Sequence, residues 1–198
     1  MRLSEIWEGS NLGAVGGRKR FENFEVGDGN TERVLALVRR WVTAYAYAQK
    51  HGRRARGIYL HGAPGSGKTH LACAAVAELI LEHGLPAMFL KVGDVPRCDQ
   101  DFVDDLVDST NVPLLALDDL GAEKLTARMQ EILFRIIDGR QWSGGVTLIT
   151  SNLDLDALSA RFDAADGAFP GCGQRVIGRI MESYSQVMLD ASDKRKEM

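Results

Sequence analysis

Apolar residues follow two alternating rhythms along this chain. Short, nearly uninterrupted apolar runs occur at Gly57-Ile58-Tyr59-Leu60, Ala87-Met88-Phe89-Leu90-Lys91-Val92, Pro113-Leu114-Leu115-Ala116-Leu117, Val146-Thr147-Leu148-Ile149 and Ser185 to Leu189. Runs of this length with no polar alternation predict strands buried on both faces. Between them the apolar positions recur at helical spacing. Val34, Leu37, Val38, Trp41, Val42 and Tyr45 mark a helix from Thr31 to Lys50, stopped by Gly52. Leu71 to Ile80 reads as an Ala-rich helix, and Phe102, Val103, Leu106 and Val107 stripe a short acidic helix from Asp99 to Asp108. Met129, Ile132, Leu133, Ile136 and Ile137 predict a long helix from Glu123 to Trp142, closed by Ser143-Gly144-Gly145. A further helix opens near Asp154, and a short one covers Gln174 to Glu182. Strands alternating with helices predict an α/β fold around a parallel sheet. Residues 1–20 are Gly-rich with little pattern beyond Ile6 and Trp7 and read as a flexible leader, which leaves 21–198 as one domain. Asp163 to Gly173 loses periodicity and reads as a mobile loop.

Composition narrows this picture without redirecting it. A chain of 198 residues with 45% apolar content can bury a full core as one domain. It has no apolar run of about eighteen residues and no signal-peptide start, so a cytoplasmic protein without a membrane partner is expected. Its three cysteines, Cys73, Cys98 and Cys172, lack metal-pair spacing and fit a reducing compartment. The net charge of −3 is unevenly spread: Arg18 to Arg56 is basic, whereas nearly every charge from Asp94 to Glu123 is acidic. Arg53-Arg54-Ala55-Arg56 reads either as a solvated face or as a contact for a nucleic-acid backbone.

Chemistry concentrates where strands end. Gly62-Ala63-Pro64-Gly65-Ser66-Gly67-Lys68-Thr69 fits G-x-x-x-x-G-K-[ST] and sits between the first strand and the Ala-rich helix, the setting of a phosphate loop. Backbone N–H groups and a helix N-terminus favour an anion there, Lys68 reaches the outer phosphates, and Thr69 offers a hydroxyl to magnesium. The third strand ends in Asp118-Asp119. Carboxylates at the C-terminal edge of such a sheet lie where ligands bind, so Asp118 is a magnesium ligand and Asp119 the group that orients a water. The competing reading is that the pair caps the next helix. Asn152, at the tip of the fourth strand, either contacts the attacking water and terminal phosphate or caps the helix near Asp154. Arg175 and Arg179 stand four apart and share one helix face, as a surface cluster or as a device that reaches a phosphate, from within the chain or from a neighbouring subunit.

Phe21-Glu22-Asn23-Phe24, Gly62 through Thr69 with His70-Leu71-Ala72, Leu117-Asp118-Asp119-Leu120-Gly121, Thr150-Ser151-Asn152 and Arg175-Val176-Ile177-Gly178-Arg179-Ile180 occur in one order. Together they resemble the AAA+ ATPases of the DnaC/DnaI helicase-loader and IstB transposition-helper group, from about Phe21 to the C-terminus. The resemblance implies a three-layer P-loop fold with a five-stranded parallel sheet in order 5-1-4-3-2 and no helical lid domain. It implies that Gly62, Ala63, Pro64, Gly65, Ser66, Gly67, Lys68, Thr69 and His70 form Walker A, that Asp118 and Asp119 form Walker B, and that Asn152 is sensor 1. Arg179 is then the finger supplied to a neighbouring subunit, with Arg175 beside it. The expected ligands are ATP and Mg2+, and adenine rests on the resemblance because no guanine-reading Asn-Lys-x-Asp motif occurs. The expected partners are a replicative helicase, or a transposase in the alternative, with single-stranded DNA and further copies of the chain in a nucleotide-dependent assembly. Asp193-Lys194-Arg195-Lys196 resembles the family's basic ending. Two departures stand out: only a short leader precedes Phe21 where loaders carry a helicase-gripping domain, and the segment from Asp94 to Val112 is acidic where the family faces DNA, so phosphates would be repelled there. A small phosphotransferase on the same loop is the remaining alternative.

Overall fold

The computed structural model describes residues 3–27, 29–123, 125–164 and 171–191. Its strands are β1 (Gly57–Gly62), β2 (Ala87–Lys91), β3 (Leu114–Asp118), β4 (Val146–Ser151) and β5 (Tyr184–Leu189). All pairings are parallel, in the order β2-β3-β4-β1-β5, which is the expected order counted from the opposite edge. The helices, in chain order, are α1 (Leu3–Glu8), α2 (Gly13–Gly16), α3 (Thr31–Lys50), α4 (Lys68–Leu81), α5 (Gln100–Val107), α6 (Ala127–Ser143), α7 (Leu155–Asp163) and α8 (Cys172–Ser183). Among the described residues no helix is long and apolar enough to cross a membrane.

The unbroken apolar strands have a simple cause. Successive side chains point to opposite faces, and both faces are covered. Ile58, Leu60, Leu114, Ala116, Val146 and Leu148 join the core under α3 and α4. Tyr59, Leu115, Leu117 and Ile149 join the second core, under α5, α6, α7 and α8.

The N-terminal segment differs from expectation. Instead of a flexible leader, Leu3–Glu8 and Gly13–Gly16 are helical and pack on α4, with Ile6 and Leu12 buried in the same core as α3. Ser10 and Asn11 cover the edge strand β2: Phe89 N donates to Ser10 O at 2.8 Å, and Asn11 Nδ2 donates to Phe89 O at 3.0 Å. Helix α6 starts at Ala127 rather than Glu123, because the Thr126 hydroxyl accepts from Met129 N and caps it. Val92–Arg97 forms a 3-10 helix that periodicity does not reveal. Residues 165–170 of the expected loop and the basic run Asp193–Lys196 lie outside the described residues.

Candidate nucleotide site

Parallel strands bring their C-terminal ends to one edge, and here that edge carries the loop after β1, the acidic tip of β3 and the tip of β4. The loop's backbone depends on glycine. Gly62, Gly65 and Gly67 have φ of 148°, 79° and 104°, a region that side chains disfavour. At Gly62 a Cβ would also lie 2.2 Å from Leu189 O, and at Gly67 it would lie 2.6 Å from the Phe24 ring. Gly67 is the N-cap of α4 and has no side chain to cap it, and the first intrahelical bond runs from Leu71 N to Gly67 O. The N–H groups of Lys68, Thr69 and His70 are thus left for a ligand, at the positive end of the helix dipole.

Lys68 is buried, and its Nζ donates to Gly62 O at 2.9 Å, Ala63 O at 2.7 Å and Ser66 Oγ at 3.4 Å. Across the cleft, the Thr69 hydroxyl donates to Asp118 Oδ2 at 3.1 Å. A hard cation takes oxygen ligands of this kind, and a hydroxyl with one carboxylate leaves room for phosphate oxygens and water. Among the described residues no group of three or more His, Cys, Asp or Glu could hold a metal by itself. The donor set therefore fits a magnesium ion bound together with phosphates.

Thr150 is the hub of the acidic side. Its hydroxyl donates to Asp118 Oδ1 at 2.7 Å and accepts from Asp119 N at 2.9 Å. Burial pushes the Asp118 carboxyl above its ordinary range; the Thr150 and Thr69 hydroxyls pull it back, the Asp119 charge raises it, and Lys91 lowers it. Asp119 is exposed, with a left-handed φ of 67°, a strained backbone for a residue with a Cβ. Its Oδ1 accepts from Asn152 Nδ2 at 3.0 Å. Neither Asn152 nor the Asp pair caps a helix, since Asp154 caps α7 and Thr126 caps α6. In the sequence Thr150 shows only as a hydroxyl inside a strand that is apolar and buried on both faces.

A cavity of about 480 Å³ runs between these groups. Lys68, Thr69, His70, Asp119 and Asn152 line it together with Lys19, Asn23, Phe24 and Glu25. The structure does not bring Arg175 and Arg179 into it. They line a separate surface hollow with Phe134 and Glu182, where Arg179 pairs with Asp138 of α6 at 2.5 Å and with Glu182 at 3.3 Å.

A glycine cradle after β1, paired carboxylates at the tip of β3 and a polar tip on β4, on a sheet of this order, define a P-loop nucleotide-binding protein of the AAA+ type. The family model described as IstB-like ATP binding protein matches residues 30–186, and the chain belongs to that family. The chain is 26% identical over 188 residues to the replicative helicase loader DnaC of Escherichia coli (strain K12), an alignment covering 91% of this chain and 70% of that protein. It is 24% identical over 172 residues to the replicative helicase loader DnaC of Buchnera aphidicola (subsp. Acyrthosiphon pisum), covering 81% of this chain and 62% of the relative's length. A crystal structure of DnaI superposes with a TM-score of 0.75 at 22% identity, covering 91% of this chain and 93% of that one, and establishes the shared fold.

Proposed function

We propose that this chain is an ATP-hydrolysing switch that loads a replicative helicase. The observation that carries the reading is the 3.1 Å hydrogen bond from Thr69 to Asp118, which joins the phosphate loop to the acidic strand tip at one point. Thr69 and Asp118 would hold magnesium, whose charge, when it is bound, offsets that of the phosphates. Lys68 moves from its loop carbonyls to the outer phosphates. Asp119 accepts the proton of a water aligned against the terminal phosphate, and Asn152 fixes the carboxylate that does so. Arg179, with Arg175 beside it, completes the site of an adjacent subunit, so activity rises with assembly. The partner rests on the names of the relatives, which are replicative helicase loaders; single-stranded DNA as a contact rests on the family resemblance, and the cytoplasm on the sequence, which has no signal-peptide start.

The test is affinity capture with Asp119→Asn loaded with ATP and magnesium, a variant that keeps binding and loses turnover. The expected result is nucleotide-dependent retention of the replicative helicase. Retention of a transposase instead would favour the transposition-helper reading. Phosphate transfer from ATP to a small acceptor would replace both readings with a phosphotransferase.

A further inference from the structure

We propose that His70 is a positioning residue that locks the base-side wall of the nucleotide cavity onto the phosphate loop. The inference rests on the ATP-binding reading above and deepens it.

His70 follows Lys68 and Thr69 in the first turn of α4, and its ring reaches the two ends of the 3-10 helix Phe21–Asn23, at its N-cap Arg20 and its last residue Asn23. Nε2 lies 2.9 Å from Arg20 O and 3.0 Å from Asn23 Oδ1. Both are acceptors. The Asn23 amide is oriented by its own contacts, since its Oδ1 accepts from Arg20 N at 2.8 Å and its Nδ2 donates to Arg18 O at 2.9 Å. Nε2 therefore carries the proton and donates to both oxygens. Phe24 meets the His70 ring edge-on, with centroids 5.3 Å apart, and its ring edge lies over Gly67. Asn23, Phe24 and Glu25 thus reach the cavity from a segment tied to the loop that cradles phosphate.

With a triphosphate and its metal held by Lys68, Thr69 and Asp118, the cavity lining from Asn23 to Glu25 is left for the ribose and base. Phe21 and Glu22 are anchored separately on α3, where Arg39 pairs with Glu22 and lies 5.5 Å from the Phe21 ring centre. Loss of the His70 contact accordingly loosens the wall at Asn23 to Glu25 and leaves the fold in place. His70, whose backbone N–H faces the ligand and which lines the cavity, then acts through its ring by fixing the wall at the distance that lets one ligand engage loop and wall together, which is pre-organisation.

The experiment compares magnesium-dependent binding of ATP and of inorganic tripolyphosphate to the full chain, to His70→Ala and to His70→Gln. Gln is chosen because its amide nitrogen can donate where Nε2 does. His70→Ala should lose on the order of tenfold in ATP affinity, the scale of a hydrogen bond and the order it imposes, and change less than about twofold for tripolyphosphate. His70→Gln should stay within about threefold of the parent for both. Parallel loss of both ligands in His70→Ala, no loss of either, or a His70→Gln variant as weak as His70→Ala would each overturn the proposal. If the parent chain binds neither ligand, the ATP-binding reading itself is wrong, a result distinct from all three.

Discussion

Asp118 shows how a site is set by single side chains. Its carboxyl is buried with a raised pKa, because burial penalises the charged form in the ligand-free fold. A raised pKa in an acid means that the folded chain holds the proton more tightly than the unfolded one. The stability this contributes is present below the ordinary carboxylate value and is lost as pH rises through the raised folded value. Asp118→Asn should thus stabilise the ligand-free protein at neutral pH by about 1 kcal/mol, or about 2–4 °C in Tm for a chain of this size. The same variant should lose the thermal shift that magnesium and ATP give the parent. A melting scan with and without both ligands checks the two outcomes together. Lys68, Thr69, Asp118 and Asp119 were readable from spacing, because loop and strand-tip chemistry leaves fixed residue types, whereas Asn152 reads equally well as a helix cap until the resemblance selects its role. Thr150, which orients both aspartates, stands in the run Thr150-Ser151-Asn152, but a strand hydroxyl shows no role in the sequence; only the pairing of β3 with β4 gives it its partners.

At the scale of elements, periodicity located every strand and the larger helices, and it misjudged whatever the rest of the fold covers. Helix α4 is buried nearly all round, from Leu71 through Ala77 and at Leu79 and Ile80. An Ala-rich helix with no polar face needs cover on the side away from the sheet, and α3 shares that work with α1 and α2. That requirement was the available clue that residues 3–16 would not be a loose tail. Arg140 is the other concealed joint. Fully buried on α6, it donates from Nε to Thr147 Oγ1 and from Nη1 and Nη2 to the carbonyls of Leu106, Val112, Pro113 and Val146, tying α5, α6, β3 and β4 together. Burial lowers its pKa to about 10, so it remains charged at neutral pH. Arg140→Ala strands those acceptors and leaves a cavity, and should cost about 3–5 kcal/mol. Urea unfolding should show a lower midpoint with an unchanged m-value.

The whole molecule raises a different question, because Arg179 lies outside the cavity of its own chain and is held by Asp138 and Glu182. An arginine finger raises turnover by about 10³ or more where it operates. If Arg179 serves an adjacent subunit, Asp119→Asn and Arg179→Ala should each be nearly inactive alone, and a mixture should regain measurable ATPase through mixed junctions. A mixture as inactive as its components would rule out catalysis between subunits. Specific activity of the parent should also rise with protein concentration.

Strand positions, the phosphate loop and the aspartate pair at a strand tip were determined by local pattern, since burial on two faces and a bound anion each demand particular residues at short spacing; the strand order and the role of Asn152 came from the family resemblance. Tertiary structure alone decided that Thr69 meets Asp118, that Thr150 lies between the aspartates, that His70 faces Asn23, and that residues 3–16 cover α4 and the β2 edge. The reason is distance along the chain: such contacts join segments far apart in sequence, and each residue type involved suits several local environments equally well until packing selects one.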